Sequence, residues 1–124
     1  RNFRTEKMRY RRHKYNAKKT VIDGITFDSK AEAKRYTELK LLERAGLISK
    51  LKLQPRYNLM PSYTNGKGQK IRAIDYIADF EYLDTETNRV VIEDVKGKKT
   101  AVYNIKKKLF EKRYKPQTIK EIKE

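Results

Sequence analysis

Two aspartates and a lysine stand at a spacing suited to holding a divalent cation beside a phosphate group. Asp79 interrupts the apolar segment 76–80, and Asp94 and Lys96 lie near the end of the apolar segment 90–96. Alternate residues of a strand share a face, so Asp94 and Lys96 are expected side by side. Carboxylates suit a hard cation such as Mg²⁺, and a nearby ammonium group stabilises negative charge. These residues therefore indicate metal-assisted phosphodiester hydrolysis.

The surrounding sequence predicts the elements that would position these side chains. Asp23-Gly24, between two short β-branched runs, is typical of a hairpin at 20–27. The capping box Ser29–Glu32 begins a helix that ends at Gly46. The remaining segments are predicted as strands at 51–59, 74–82 and 90–96, a polar loop at 61–70, a basic helix at 102–113 and a last strand at 117–122.

Periodicity also predicts which side chains are buried. The buried stripe of the first helix is expected at Tyr36, Leu39 and Leu42. One face of the second strand is predicted to carry Ile74, Tyr76, Ala78, Phe80 and Tyr82. The inward residues of the second helix are predicted to be Val102, Ile105, Leu109 and Phe110. Asp75 and Glu81 are expected to be exposed.

The charge is large and unevenly distributed. The 124 residues carry a formal net charge of +16. Residues 1–20 hold nine basic residues and one acid, residues 96–124 hold eleven and three, and residues 21–95 hold twelve of each. A polyanion is therefore the expected partner, nucleic acid before an acidic membrane surface. The central acids are better suited to a cation than to phosphate binding.

Several classes of protein are disfavoured by what the sequence lacks. Without cysteine there is no disulfide and no thiolate zinc site, and the single histidine, His13, makes a histidine metal site improbable. No apolar run approaches the length of a membrane span. We therefore expect a soluble cytoplasmic protein with no membrane partner.

The predicted order of elements favours an α/β fold with a central mixed sheet flanked by helices. We expect one domain at 20–124. It is preceded by a basic arm at 1–19 that orders on nucleic acid and presents Arg11, Arg12 and Lys14.

The motifs resemble those of the PD-(D/E)xK, or restriction-endonuclease-like, nucleases. Asp79 followed by Asp94-Val95-Lys96 matches the signature of that superfamily, although Ala78 replaces its proline. Further stretches resemble a phage and prophage branch of largely unassigned role: 27–32, 53–55, 76–80 and 93–97. The chain is also similar to the endonuclease subunit of Tn7-type transposons and, more distantly, to archaeal Holliday-junction resolvases.

The resemblance implies an αβββαβ core and a DNA endonuclease that uses Mg²⁺, with Mn²⁺ able to substitute. Asp79 and Asp94 would hold the metal together with the helix glutamate Glu32, and Lys96 would assist. Related enzymes contact the scissile phosphate from the second helix, where Tyr103 with Lys106 or Lys107 would be placed. Further phosphate contacts are expected from Lys98 and Lys99, and the DNA is expected to be duplex or branched.

Each of these residues also has an ordinary structural interpretation. Glu32 could serve only the capping box, and Asp79 could pair with Arg72. Asp94 and Lys96 could form a plain ion pair. Glu93 is expected on the opposite face, solvated or facing a helix, unless a bulge exchanges it with Asp94. Gln54, beside a proline, is a further residue that could approach the site.

Three functions remain open at this stage. The chain could be a nuclease, a nucleic-acid-binding module of the same fold that does not cut, or a basic RNA-binding protein. The preferred DNA structure, the sequence specificity and homodimer formation are all left open by the sequence.

Overall fold

The computed structural model of the protein describes residues 19–124. The predicted arm, with Arg11, Arg12 and Lys14, therefore lies outside the described residues except for Lys19, which is exposed. The described residues divide into two compact units, residues 19–40 and residues 41–124.

The first unit begins with the predicted hairpin. Strands β1 (Thr20–Ile22) and β2 (Ile25–Phe27) pair antiparallel across the two-residue loop Asp23-Gly24. Both loop residues have positive φ, 54° and 76°, as a type I′ turn requires. The Tyr36 hydroxyl donates a hydrogen bond of 3.0 Å to Asp23 Oδ2. The ring of the same tyrosine packs on Phe27, which fixes the hairpin against the helix that follows.

Helix α1 (Lys30–Arg44) has the predicted signals at both ends and crosses from the first unit into the second. Ser29 Oγ accepts the Glu32 backbone N–H at 3.1 Å, which is one half of a capping box. Gly46 has a φ of 80°. Its N–H donates to the Glu43 carbonyl and the Leu47 N–H donates to the Leu42 carbonyl, each at 3.0 Å. This pair of bonds is a Schellman motif.

The second unit is built on a mixed sheet. The eight strands of this unit are, in chain order, β3 (Ile48–Leu53), β4 (Arg56–Met60), β5 (Tyr63–Thr64), β6 (Lys70–Ile71), β7 (Ile74–Ile77), β8 (Phe80–Asp84), β9 (Arg89–Lys96) and β10 (Ile119–Lys123). The four-stranded sheet has the order β10-β9-β8-β3, and only β10 and β9 are parallel. The predicted antiparallel meander and last strand are confirmed. The predicted loop at 61–70 is wrong in part, because β5 and β6 form a hairpin there.

The chain is interrupted twice at the same level of the sheet, once between β3 and β4 and once between β7 and β8. Leu53 ends β3 and Arg56 begins β4, whereas Ile77 ends β7 and Phe80 begins β8. The two interruptions face each other, because the Gln54 N–H donates to the Asp79 carbonyl at 2.9 Å. Beyond the bend β4 pairs with β7 alone, so Asp79 lies where this strand pair leaves the main sheet.

The bend corrects one sequence prediction. Tyr76 and Ala78 belong to the core cluster that includes Ile92 of β9. Tyr82 instead donates a hydrogen bond to Glu93, the next residue along β9, whose side chain points to the opposite face. The residues 74–82 therefore do not line one face, because the interruption at Asp79 exchanges the faces on which the buried side chains lie.

Helix α2 (Ala101–Arg113) packs on the sheet through two aromatic side chains. Thr100 caps its start, where the hydroxyl oxygen accepts the Tyr103 N–H at 3.1 Å. Tyr103 and Phe110 are the buried residues of the helix, and Phe110 is completely buried. Truncation of such a core aromatic to alanine costs about 3–5 kcal/mol. The core cluster comprises Leu59, Tyr76, Ala78, Ile92, Tyr103, Phe110 and Ile119, with Tyr57 and Tyr114 packed against it.

The predicted inward face of α2 is largely wrong. Phe110 is buried as expected, but Val102, Ile105 and Leu109 are 62%, 59% and 41% exposed. Their positions lie roughly 90–150° around the helix from the line joining Tyr103 and Phe110, so the two rings make the contact instead. In α1, Tyr36 and Leu39 are buried as predicted, and Leu42 is half-buried. Neither helix of the described chain has the length and apolar character needed to cross a membrane.

Candidate active site

An open groove of about 450 Å³ lies on the α2 side of β9. Strands β4, β7 and β9 and the first turns of α2 contribute its lining. The charged residues of that lining are Arg56, Asp75, Asp94, Lys96 and Lys106. The sheet and the helix thus bring two of the predicted site residues, Asp94 and Lys96, into one groove with further cations.

Asp94 and Lys96 lie on the same face of β9, as the strand period predicts. Lys96 Nζ is 3.4 Å from Asp94 Oδ1, and the Tyr76 hydroxyl donates to Asp94 Oδ2. The Asp94 side chain is buried, whereas Lys96 is partly exposed. Burial and the bond to Asp94 raise the pKa of Tyr76 well above its usual value, so its hydroxyl remains a donor. Asp94 is therefore fixed in orientation and carries a cation at its side.

Asp79 is hydrogen-bonded to β9 at the two residues that flank Asp94. Its N–H donates to the Glu93 carbonyl at 3.0 Å, and its Oδ2 accepts the Val95 N–H at 2.6 Å. The Asp79 carboxylate thus bonds to β9 at the place where β7 separates from the main sheet. The residue is partly exposed rather than buried, since it lies in the bend. The sheet therefore brings Asp79 next to the Asp94–Lys96 segment.

The Tyr103 ring packs against the ammonium group of Lys96. The Lys96 ammonium lies 4.2 Å from the centre of the Tyr103 ring, which is a cation–π contact. The Tyr103 hydroxyl donates to Glu121 Oε2 at 2.7 Å. Burial and this bond raise the pKa of Tyr103 well above its usual value. The tyrosine is buried, so its hydroxyl is engaged within the protein rather than exposed towards a phosphate.

Glu121 is a site residue that the sequence analysis missed. It lies in β10 directly beside Asp94 in the parallel register. Lys99 Nζ at 2.9 Å and Lys107 Nζ at 3.3 Å both contact its carboxylate. The bond from Lys99, then that from Tyr103, lowers the pKa of Glu121 to about 2. No sequence motif marks this glutamate, because its position depends on how β10 pairs with β9.

Glu93 lies apart from the groove. It is completely buried on the opposite face of β9, where the Tyr82 hydroxyl donates to its Oε2. The predicted opposite face is confirmed, but the side chain is not solvated, and no bulge exchanges Glu93 with Asp94 within the regular β8–β9 register. The Glu93 backbone carbonyl accepts the Asp79 N–H.

Four other residues can be compared with their predictions. Gln54 does approach the site, through the bond from its N–H to the Asp79 carbonyl. Arg72 is exposed and forms no ion pair within residues 19–124, so the suggested pairing with Asp79 is absent there. Asp75 and Glu81 were expected to be exposed but are partly buried. Asp75 pairs with Arg56 at 3.0 Å, and Glu81 accepts the Tyr57 hydroxyl.

The predicted phosphate-binding lysines fall into three groups. Lys98 is exposed in the segment between β9 and α2. Lys106 lines the groove. Lys99 and Lys107 both form ion pairs with Glu121. The two lysines are thereby brought together beside the groove, and the Glu121 carboxylate partly neutralises their charge.

Glu32 belongs to the first unit, where it occupies the first turn of α1. Its role as a third metal ligand stays a prediction. Within the described range 19–124, no group of three or more acidic or histidine side chains is arranged to hold a metal ion.

A larger cleft, of about 670 Å³, lies at the opposite end of β9. It is lined by Arg89 and Lys120 among the charged residues, with Pro116 and Gln117. This lining contains no carboxylate and none of the residues singled out from the sequence. Chemistry, rather than size, therefore places the candidate site in the smaller groove.

The fold and the site define an α/β protein with a central mixed sheet and an acidic–basic pair in a groove lined by charges of both signs. The chain belongs to the DUF1064 family, described as a protein of unknown function, whose model matches residues 12–123. Comparison with curated proteins and with solved structures finds no significant match.

Proposed function

We propose that the protein is a metal-dependent endonuclease of the restriction-endonuclease-like class that hydrolyses phosphodiester bonds of DNA. The groove that contains Asp94 and Lys96 is the proposed active site. Cleavage of branched or recombination intermediates is the substrate class that the motif resemblance suggests.

One observation carries the proposal. Asp94 and Lys96 lie 3.4 Å apart on one face of β9, and the Asp79 carboxylate bonds to the residue between them, Val95. Asp79 thus lies beside the Asp94–Lys96 segment at the point where two strands separate, although it is not among the residues that line the groove. The separation leaves room for a substrate, as the groove beside Asp94 indicates.

The order of elements supports the same class. Helix α1 precedes an antiparallel meander of β3, β8 and β9, and α2 precedes β10, which is parallel to β9. Apart from the additional strands β4 to β7, this order agrees with the αβββαβ order that the resemblance implies. The acids occupy the second and third strands of the meander or the bend beside them, as in the family signature.

The donor chemistry of the site fits a hard divalent cation. Asp79 and Asp94 offer carboxylate oxygens, and the Lys96 ammonium lies 3.4 Å from Asp94 Oδ1. Mg²⁺ is often bound by only one or two carboxylates, with water and substrate phosphate completing its shell. Asp79 and Asp94 would hold the ion, with Glu32 as the predicted third ligand. When bound, it supplies Lewis-acid activation of the phosphate and of the attacking water.

The protein's own groups contribute the remaining functions. Tyr76 donates to Asp94 and so fixes the carboxylate that faces the groove. Lys96 is placed to stabilise negative charge on a phosphate in the groove. Lys106, which also lines the groove, attracts the sugar–phosphate backbone, whereas Arg56 in the same lining is paired with Asp75. Because these groups are held by the sheet and by α2, the site is organised before substrate binds.

A second candidate function is a DNA-binding module that does not cut. Asp94 is already paired with Tyr76 and Lys96, which is also the state expected of a structural acid. In this case the basic groove would bind phosphates, and binding would be indifferent to chelators.

The experiment that separates the two functions is a cleavage assay. Supercoiled plasmid and labelled branched DNA are incubated with the protein in Mg²⁺, in Mn²⁺ and in EDTA. Asp79→Asn, Asp94→Asn and Lys96→Met are each expected to lower metal-dependent cleavage at least about 100-fold. Asp84→Asn is the matched control, because Asp84 lies at the far end of β8 and asparagine can still accept the turn N–H groups that it binds.

The two functions predict different results. Metal-dependent cutting that the three site variants lose and Asp84→Asn retains would support the nuclease. Equal cutting by all variants would place any activity elsewhere. Salt-sensitive binding without cutting, equal in wild type and variants, would favour the binding module.

A further inference from the structure

A strongly basic hairpin, residues 61–73, connects β4 to β7 and, apart from Ala73, lies outside the groove of the proposed active site. It contains the paired strands β5 and β6, and almost all of its residues are exposed. It carries three cations, Lys67, Lys70 and Arg72, and no carboxylate. Within residues 19–124 none of the three forms an ion pair. The hairpin thus presents positive charge that the rest of the described chain does not neutralise.

Hydrogen bonds at Asn65 hold the turn of this hairpin in one shape. Asn65 Oδ1 accepts the N–H groups of Lys67 and Gln69, each at 2.9 Å. The Asn65 N–H and Nδ2 donate to the carbonyl and Oε1 of Gln69, also at 2.9 Å. An isolated two-stranded hairpin is marginally stable in water, so these bonds are what gives the turn its order. The backbone of the turn is therefore held in one shape beside the three cations.

The basic hairpin is continuous with the groove. Its last residue, Ala73, lines the groove, and the groove continues along β7 to Asp75 and Ile77. A polyanion that occupies the groove and extends past Ala73 therefore meets the basic hairpin next.

The composition of the hairpin bears on whether its anionic partner is a protein or DNA. The core of a protein–protein interface is enriched in apolar and aromatic side chains and depleted of lysine. The hairpin offers one large apolar side chain at its surface, the half-exposed Tyr63, among three cations. Lysine, arginine and tyrosine side chains contact the phosphates of DNA, and the surface of the hairpin offers these side chains with little apolar area. DNA is therefore the better match.

We propose that the basic hairpin is a DNA-binding element that contacts the phosphate backbone of duplex DNA beside the groove, through Lys67, Lys70 and Arg72. The inference rests on the proposed function, because it takes DNA as the ligand of the groove. A two-stranded ribbon is narrow enough to lie along the major groove of B-form DNA. Contacts to phosphates hold the duplex without reading its sequence.

The test measures binding rather than cleavage. Binding of a fluorescein-labelled duplex of mixed sequence is followed by anisotropy in EDTA, between about 50 and 200 mM salt. The test variant is Lys67→Gln/Lys70→Gln/Arg72→Gln. The control is Arg89→Gln/Lys115→Gln/Lys120→Gln, which removes the same charge from exposed positions around the cleft at the other end of β9. Thermal unfolding of both variants verifies that they fold.

Each phosphate contact contributes about 0.9 to the slope of log K against log salt concentration. The hairpin variant is expected to lower that slope by about 2–3, and the control by clearly less. Equal effects of the two variants, or an unchanged slope in the hairpin variant, would overturn the inference. So would a wild-type protein that does not bind the duplex. Hairpin-dependent binding by a protein that does not cut in Mg²⁺ would refute the nuclease and leave the hairpin inference standing.

Discussion

The ammonium group of Lys96 lies 4.2 Å above the centre of the Tyr103 ring, and the Tyr103 hydroxyl is bonded to Glu121. A contact of this kind contributes about 0.5–2 kcal/mol, depending on how far it is desolvated. Lys96 is also 3.4 Å from Asp94, so the ring and the carboxylate together define where its charge sits. Tyr103 is therefore a positioning residue for the lysine of the proposed site.

The first prediction separates the ring of Tyr103 from its hydroxyl. Tyr103→Phe keeps the ring under Lys96 and loses the bond to Glu121, so its kcat for DNA cleavage should fall only a few-fold. Tyr103→Leu removes the ring and should lower kcat about 10-fold or more, with a smaller change in KM, because a displaced lysine impairs the chemical step more than binding. Single-turnover cleavage measures the rates, and urea unfolding measures stability. Equal rates in the two variants would contradict a role for the ring.

The second prediction concerns stability at acid pH. The pKa of Glu121 is lowered to about 2 in the folded protein by Lys99 and Tyr103, whereas an unfolded glutamate titrates near about 4.3. Ionised Glu121 therefore stabilises the fold fully above about pH 4.3, and the contribution is lost as the pH falls towards about 2. Wild type should unfold at higher urea than Glu121→Gln at pH 7, and the difference should narrow through that window.

Glu111 is the matched control for this comparison. It is also a partly buried acid and accepts the Ile119 N–H, but within residues 19–124 it forms no ion pair. The difference between wild type and Glu111→Gln should therefore narrow less in the same window. A Glu121→Gln difference that stays constant from pH 7 to about 2 would show that the ion pairs add nothing to stability.

The regular elements were predictable from local signals. The Asp23-Gly24 turn, the caps at Ser29 and Gly46 and the alternation of Asp94 and Lys96 each depend on a few neighbouring residues, and each is found where the sequence places it. Such features need no knowledge of the tertiary fold.

Features that depend on how elements meet were not predictable in the same way. The bend at Asp79 exchanges the faces of β7 and β8, and a strand period assumes that no such interruption occurs. Helix α2 buries two aromatics and exposes Ile105, because contact with the sheet, not the apolar pattern, sets which side faces inward. Glu121 joins the site through the parallel register of β10, which no local motif encodes.

The third prediction tests the end of α1. Gly46 has a φ of 80°, a conformation that alanine adopts only with strain. Gly46→Ala should therefore lower the free energy of unfolding by about 1 kcal/mol in urea denaturation. Gly66→Ala is the control, because Gly66 lacks a positive φ and a Cβ there meets nothing within 4 Å. An equal loss in both variants would mean that side-chain bulk or chain entropy, not the left-handed conformation, is responsible.

The last prediction distinguishes the two roles of Glu32. Glutamine at this position keeps the reach of a capping-box side chain and loses the carboxylate charge, so Glu32→Gln should leave stability within about 0.5 kcal/mol of wild type. If Glu32 is the third metal ligand, this variant should still cut DNA about 100-fold more slowly. Ser29→Ala gives the reverse pattern, because it removes the oxygen that accepts the Glu32 N–H and should destabilise by about 1 kcal/mol without slowing cleavage by folded protein. Wild-type cleavage by Glu32→Gln would confine the ligand set to Asp79 and Asp94, whereas cleavage that falls in proportion to lost stability would assign Glu32 to the cap alone.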